Sequence, residues 1–233
     1  MTRRAEVRYN SRFMPPAQAV RPVVAVVSAG EARALLAGRP DEQFTPAELD
    51  QLARFGSEKR RRDFVAGRLA AKRAVALWLK QKDERPSGLV EVSNDQDGMP
   101  YLSAPAPLRG RLHLSIAHGE LGGIAAVHAG PVGVDAELVM SRDAAVLKYY
   151  VREDELAVNA IAQTRLWTVK EAVLKMIGLG FAGGFFNVKW TGGRSAELFG
   201  NAAEKRAELG FDDFVVETWL EGDASYCLAY AEI

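Results

Sequence analysis

The chain has 233 residues, 48% hydrophobic and 26% charged, with thirty basic residues balancing thirty acidic ones. That balance leaves no global field to mark nucleic acid or a membrane surface as the partner, so an anion site must come from local clustering. Its single cysteine, Cys227, excludes an intramolecular disulfide framework and a cysteine-based structural zinc site.

No apolar run approaches the ~20 residues of a membrane span, and no secretory h-region follows Arg3 and Arg4, so the expected location is cytoplasmic. In chain order, residues 1–20 read as an irregular arm, and Arg21–Gly30 as a buried strand ending at Gly30. Thr45-Pro46-Ala47-Glu48 is a capping box with proline at the first helical position, which predicts a helix start. Gly56 and Ser57 interrupt that helix, and Ser57 caps a second one running to about Lys82. GLVEVSND and MPYLSA are strands on either side of the turn DQDG, and RLHLSIAH alternates as a strand ending at His118. GGIAAVHAGPVGVDAELV reads as a hairpin around Ala129-Gly130-Pro131. A helical stretch then runs from about Arg142 to Gly178, broken near Tyr149–Arg152. Short strands follow Gly180, and FVVETWLEGDASYCLAYAEI closes the chain as a hairpin. Helices and strands alternate without a strict βαβ rhythm, which predicts an α+β fold.

Three groups of residues stand out chemically. In VGVDAEL, strand alternation puts Gly133, Asp135 and Glu137 on one face. The flanking Val132, Val134 and Leu138 suggest a central strand, where two neighbouring carboxylates repel and need a cation. Glu171 follows Glu137 by 34 residues, on a helix whose apolar stripe is Leu166, Val169, Val173 and Met176. Trp167, Glu171, Leu174, Lys175 and Gly178 fall on its other side, and a solvated face rarely carries a tryptophan. Three carboxylates on two rigid elements make a hard oxygen site suited to Mg²⁺. In the second group, SEKRRRDFVAGRLAAKRAV, the run Lys59–Arg62 reads equally well as a solvated face. Arg68, however, projects onto the apolar stripe between Phe64, Ala71 and Val75 and needs an anion there, either a carboxylate of this chain or a ligand phosphate. The third is His118, closing its strand before Gly119; His113 and His128 read as structural.

GVDAE followed by WTVKEAVLKMIGLG resembles the paired signature of the 4′-phosphopantetheinyl transferases, and HLSIAH, DGMPYL and RRDFVAGRLAAKRAV extend the likeness over about Lys59–Gly180. The length is similar to that of the monomeric two-half type, as in surfactin-synthetase activation. The resemblance implies two similar α+β halves related by pseudo-twofold symmetry, residues 1–118 and 119–233, with the active site in the cleft between them. It implies transfer of phosphopantetheine from coenzyme A to a serine of an apo acyl or peptidyl carrier protein, with release of 3′,5′-ADP. Asp135, Glu137 and Glu171 would hold Mg²⁺ against the diphosphate, Lys175 would lie by the same diphosphate, and Trp167 would pack beneath and fix the helix. Arg60, Arg68 and His118 would approach the 3′-phosphate, and Gly98, Met99 and Pro100 would border the adenine. Glu171 or metal-bound water would take the serine proton, and Lys175 would stabilise or protonate the departing 3′,5′-ADP. Met99 and Ala117 depart from the family's usual lysine and serine, which bears on coenzyme A affinity. Cys227 reads as a small core residue, so no covalent enzyme intermediate is expected. Two alternatives are another Mg²⁺-dependent transferase or hydrolase acting on a nucleotide diphosphate, and a nucleic-acid module built on Lys59–Arg62. The zero net charge argues against the second of these.

Overall fold

Local capping decides where the helices of the first half begin. The computed structural model describes residues 21–85, 88–180 and 184–232, so the expected arm at residues 1–20 lies outside the described residues. Strand β1 (Val23–Ser28) stops short of Gly30 because Ser28 caps helix α1 (Ala29–Ala37). The Ser28 Oγ accepts from the Glu31 N–H at 3.1 Å, and the Glu31 carboxylate accepts from the Ser28 N–H at 3.0 Å. The expected box at Thr45 and Glu48 starts α2 (Pro46–Ala53), and Ser57 starts α3 (Glu58–Gln81) by accepting from the Arg60 N–H at 3.2 Å.

Strands β2 (Glu91–Asn94) and β3 (Pro100–Ala104) pair around the expected turn. Next come β4 (His113–Gly119), β5 (Gly122–His128) and β6 (Val132–Leu138). The expected β5–β6 hairpin does not form. β5 is the centre of a sheet ordered β1-β5-β4, with both its edges occupied, so β6 must pair elsewhere. It pairs with β10 (Ala224–Ala231), which also takes β9 (Phe214–Glu221) in the terminal hairpin and gives the order β6-β10-β9. The stretch after β6 folds as α4 (Ala144–Leu147) and α5 (Ala160–Met176), with the break running from Lys148 to Asn159. Short strands β7 (Val188–Lys189) and β8 (Glu197–Leu198) follow, and then an additional helix, α6 (Gly200–Leu209), of which only Ala202 is buried. Every strand pairing described is antiparallel, and the long helices α3 and α5 lie against the three-stranded sheets. The fold is α+β.

Each three-stranded sheet has one long helix against it. α3 packs on β1, β4 and β5, with Val65, Ala66, Ala70 and Val75 in that core. α5 packs on β6 and β10, burying Val169, Ala172, Val173 and Met176. A third cluster joins the sheets to each other through Ala117, Ile124 and Ala126 of the first and Val132, Val134 and Leu228 of the second. Where α5 crosses β6, a Cβ built on Gly133 would stand 1.8 Å from the Ala172 carbonyl oxygen. Only glycine permits that approach, which brings the helix against the strand carrying Asp135 and Glu137.

Candidate active site

Strand alternation and the close α5–β6 crossing place four charged side chains together. Asp135 and Glu171 are buried, while Glu137 and Lys175 are partly so. The Lys175 Nζ donates to Asp135 Oδ1 at 2.7 Å and lies 3.6 Å from Glu171 Oε2. Asp135 Oδ2 and Glu171 Oε1 are buried without a hydrogen-bond partner. Burial pushes the Glu171 carboxyl up to about 7; the negative charges of Asp135 and Glu137 add to the rise, and Lys175 opposes it. Glu137 is raised as well, first by burial and then by Asp135.

The face of α5 that carries Glu171 is not a solvated one. Trp167 stands 4.8 Å from the Phe185 ring and 5.2 Å from Tyr150, and the Arg142 guanidinium lies over it at 5.0 Å. Leu174, expected on that side, is buried in the core of α5 and its sheet. Lys170 turns away from Glu171 and is fully buried against Glu155.

The second group gathers at α3. Arg68 is buried, its guanidinium 5.0 Å from the Phe64 ring centroid and bonded through Nη2 to Asn94 Oδ1. Its Nε is buried without a partner. His118, exposed at the end of β4, comes within 3.7 Å of a Cβ built on Gly67. Partial desolvation by the groups around its ring holds the His118 pKa down; Asp63 counters this, and Lys175 and Lys59 reinforce it. That electrostatic reach links the α3 side to Lys175. Arg60 is exposed at the start of α3, about two turns before Gly67 on the same face. Lys59 and Arg62 pair with buried Asp63 at 2.7 and 3.0 Å, so two of the four basic side chains of the run share one carboxylate of the chain. Gly98, Met99 and Pro100 form the turn into β3, and the Met99 Sδ would lie 2.6 Å from a Cβ on Gly178. Gly178 has a left-handed φ of 75°, the demand that selects glycine here, while the Met99 side chain beside it is flexible. A cavity of about 400 Å³ lies beside this turn, floored by Leu102, Leu114, Val132 and Met176.

The family model described as the 4′-phosphopantetheinyl transferase superfamily matches residues 131–231, the segment that carries β6 and α5. The holo-[acyl-carrier-protein] synthase of Lactococcus lactis subsp. cremoris (strain SK11) is 36% identical over 89 residues, 37% of this chain and 74% of the relative. This chain belongs to the 4′-phosphopantetheinyl transferase superfamily. The holo-[acyl-carrier-protein] synthase of Bacillus subtilis (strain 168) is 36% identical over 77 residues, 32% of this chain and 63% of that relative. Among solved structures, a holo-(acyl-carrier-protein) synthase from Bacillus anthracis str. Ames in complex with CoA (3′,5′-ADP) is 27% identical. It covers 48% of this chain and 96% of that chain, with a TM-score of 0.39.

Within this phosphopantetheinyl transferase chain the donor set of Asp135, Glu137 and Glu171 suits a small hard cation. It offers only carboxylate oxygens, two of them buried and unpartnered. As the side chains lie, no three carboxylate, histidine or cysteine groups among the described residues form an ion-holding set, and the Lys175 ammonium lies 2.7 Å from Asp135 and 3.6 Å from Glu171. Sequence reasoning missed Asn94, which contacts Arg68 from the end of β2, and Ser115, whose Oγ accepts from the Val134 N–H at 3.1 Å and ties β4 to β6. Neither has a signal in its own stretch of sequence, since each partner comes from a distant segment.

The raised Glu171 pKa fixes the sign of a pH effect in metal-free protein. A folded carboxyl at about 7 binds protons that the unfolded chain, near 4.5, has released. Stability from this group is therefore full below about 4.5 and is lost as pH rises through about 7. The loss is about 3 kcal/mol as an order of magnitude. In chelator, the denaturation midpoint of the wild type relative to Glu171→Gln is expected to fall between pH 5 and pH 8. Parallel pH profiles for the two proteins would refute it.

Proposed function

We propose that this protein transfers the 4′-phosphopantetheine group of coenzyme A to a serine of an apo acyl or peptidyl carrier protein and releases 3′,5′-ADP. The observation that carries this reading is the buried, partnerless pair of carboxylate oxygens on Asp135 and Glu171, set beside Lys175 within the segment matched to the superfamily. Mg²⁺ held by Asp135, Glu137 and Glu171 would neutralise charge on the diphosphate. Lys175 meets the same diphosphate and stabilises the departing 3′,5′-ADP. Arg68 and His118, with Arg60 at the rim, receive the 3′-phosphate, while Gly98, Met99 and Pro100 border the base. The serine oxygen attacks the phosphorus that bears the pantetheine arm, the bond from that phosphorus to the bridging oxygen breaks, and the serine proton passes to Glu171. The chain supplies orientation and charge stabilisation, and no side chain carries the group. Cys227 is fully buried, and burial pushes its thiol well up, which removes the one sulfur nucleophile from contention.

We further infer the two-half arrangement with its cleft between the halves, and a single chain as the working unit. Supporting it, α3 with β1-β5-β4 and α5 with β6-β10-β9 are two helix-on-sheet units. In each unit the helix presses on a strand glycine, Gly123 or Gly133. Because β5 pairs with both β1 and β4, the boundary between halves is better placed at Ala129–Pro131 than after His118. No helix among the described residues is long and apolar enough to cross a membrane.

The test is mass spectrometry of an apo carrier protein after incubation with this protein, coenzyme A and Mg²⁺. The expected result is a gain of one phosphopantetheine group on the carrier, matched by release of 3′,5′-ADP. Nucleotide release without modification of the carrier would instead support a hydrolase.

A further inference from the structure

Asn94 lies at the end of β2, exposed, opposite Pro100 in the β2–β3 register. Its side-chain amide works in two directions. The Oδ1 accepts from the buried Arg68 guanidinium, and the Nδ2 donates to the Gly98 carbonyl at 2.6 Å. The turn it grips is otherwise built by its neighbour: Asp95 Oδ1 accepts from the N–H groups of Asp97 at 2.9 Å and Met99 at 2.8 Å. On the far side Met99 rests against Gly178 at the end of α5. A continuous path therefore runs from α3 through Arg68, Asn94 and the Gly98 turn to α5.

We propose that Asn94 is a positioning residue that makes the Arg68 guanidinium and the Gly98–Pro100 turn one unit, so that binding of the nucleotide's phosphate and of its base is set together. The inference rests on the reading of Arg68 as a 3′-phosphate group and of the turn as a border of the base. Arg68 is 7% exposed, and its Nη2 is held by a neutral amide rather than a carboxylate. A neutral acceptor fixes the fork's direction while leaving its positive charge uncompensated for an incoming anion. Glu48, whose charge bears on Arg68, is itself engaged by Lys72 at 2.7 Å. An aspartate at position 94 would aim the fork equally well and cancel the charge, so the amide serves both needs.

The experiment is calorimetric titration of coenzyme A and 3′-dephospho-coenzyme A into wild type, Asn94→Ala, Arg68→Ala and the double variant, with kcat and KM measured on an apo carrier. Wild type is expected to favour coenzyme A over the 3′-dephospho form. Asn94→Ala should shrink that preference by about tenfold, within the range of one charge-assisted hydrogen bond. It should raise KM for coenzyme A and leave kcat near wild type, because the carboxylate cluster is not touched. In the Arg68→Ala background the same change should leave the preference where Arg68→Ala alone puts it. Asn94 is exposed at a strand end, and Asn94→Ser with unfolding midpoints of all variants guards against a folding defect. An unchanged preference in folded Asn94→Ala, equal weakening of both ligands, or a further fall of the preference in the Arg68→Ala background would each overturn the role of Asn94. A wild type that binds coenzyme A without regard to the 3′-phosphate would overturn the reading beneath it as well.

Discussion

Asp135→Ala is expected to lower the transfer rate by two to three orders of magnitude while the protein stays folded. Asp135 is buried on the face of β6 that meets α5, with one carboxylate oxygen on Lys175 at 2.7 Å and the other unpartnered. Alanine removes a ligand from the proposed cation site and the anchor that aims Lys175, whose other carboxylate neighbour, Glu171, is 3.6 Å away. Metal-assisted neutralisation of phosphate charge is worth several kcal/mol in the transition state, and 1.36 kcal/mol is a factor of ten in rate. Folding should survive, because the substitution takes one of three mutually repelling carboxylates out of a poorly solvated place. The check is kcat at saturating coenzyme A and Mg²⁺, alongside the Mg²⁺-induced rise in melting temperature that ligand linkage requires of a bound ion. A near-normal rate with an unchanged Mg²⁺ response would remove Asp135 from the site.

What could be read from the sequence was local. The capping residues Thr45, Glu48 and Ser57 mark helix starts because their hydrogen bonds close within three residues. The same S-x-x-E signal stood at Ser28 and Glu31, masked by reading the strand on to Gly30. Alternation in GVDAEL and the 3.6-residue period after Leu166 were enough to set Asp135, Glu137 and Glu171 on converging faces. Strand partnership was not local. Val132–Leu138 follows β5 across a Gly-Pro turn that looks like a hairpin, and only the occupied edges of β5 send it to β10 instead. The helix α6 buries a single residue and has no side-chain cap, so its segment carries little periodic signal. Arg68 was legible as an inward arginine that needs an anion. That its chain partner would be the amide of Asn94, 26 residues on, was a tertiary fact.

Lys170→Met is expected to destabilise the protein by about 3–5 kcal/mol, the range for removing one partner of a buried ion pair. Lys170 precedes Glu171 and shares its charge-rich motif, yet a helix turns about 100° between neighbours, and the two point into different surroundings. Both Lys170 and Glu155 have fully buried side chains, 2.6 Å apart. The ammonium also donates to the carbonyls of Tyr150 at 2.6 Å and Phe185 at 3.1 Å. Glu155 in turn accepts from the N–H groups of Arg152 and Trp190, each at 2.9 Å. Three stretches of irregular chain are thereby fastened to α5, the helix that holds Glu171 and Lys175. Burial pulls the Lys170 pKa down and Glu155 pulls it back up, so the charge depends on its partner. With methionine in place, Glu155 is left as a buried charge held by two amides alone. That loss is a large share of the ~5–15 kcal/mol by which domains are stable. Lys170→Met combined with Glu155→Leu should recover more than half of it, since an apolar pair of similar volume removes the stranded charge. Denaturant unfolding of the single and double variants measures both changes. At a temperature where Lys170→Met is still folded, its transfer rate per folded molecule should stay close to wild type. A stable Lys170→Met protein that has lost transfer would place Lys170 in the reaction and not in the scaffold.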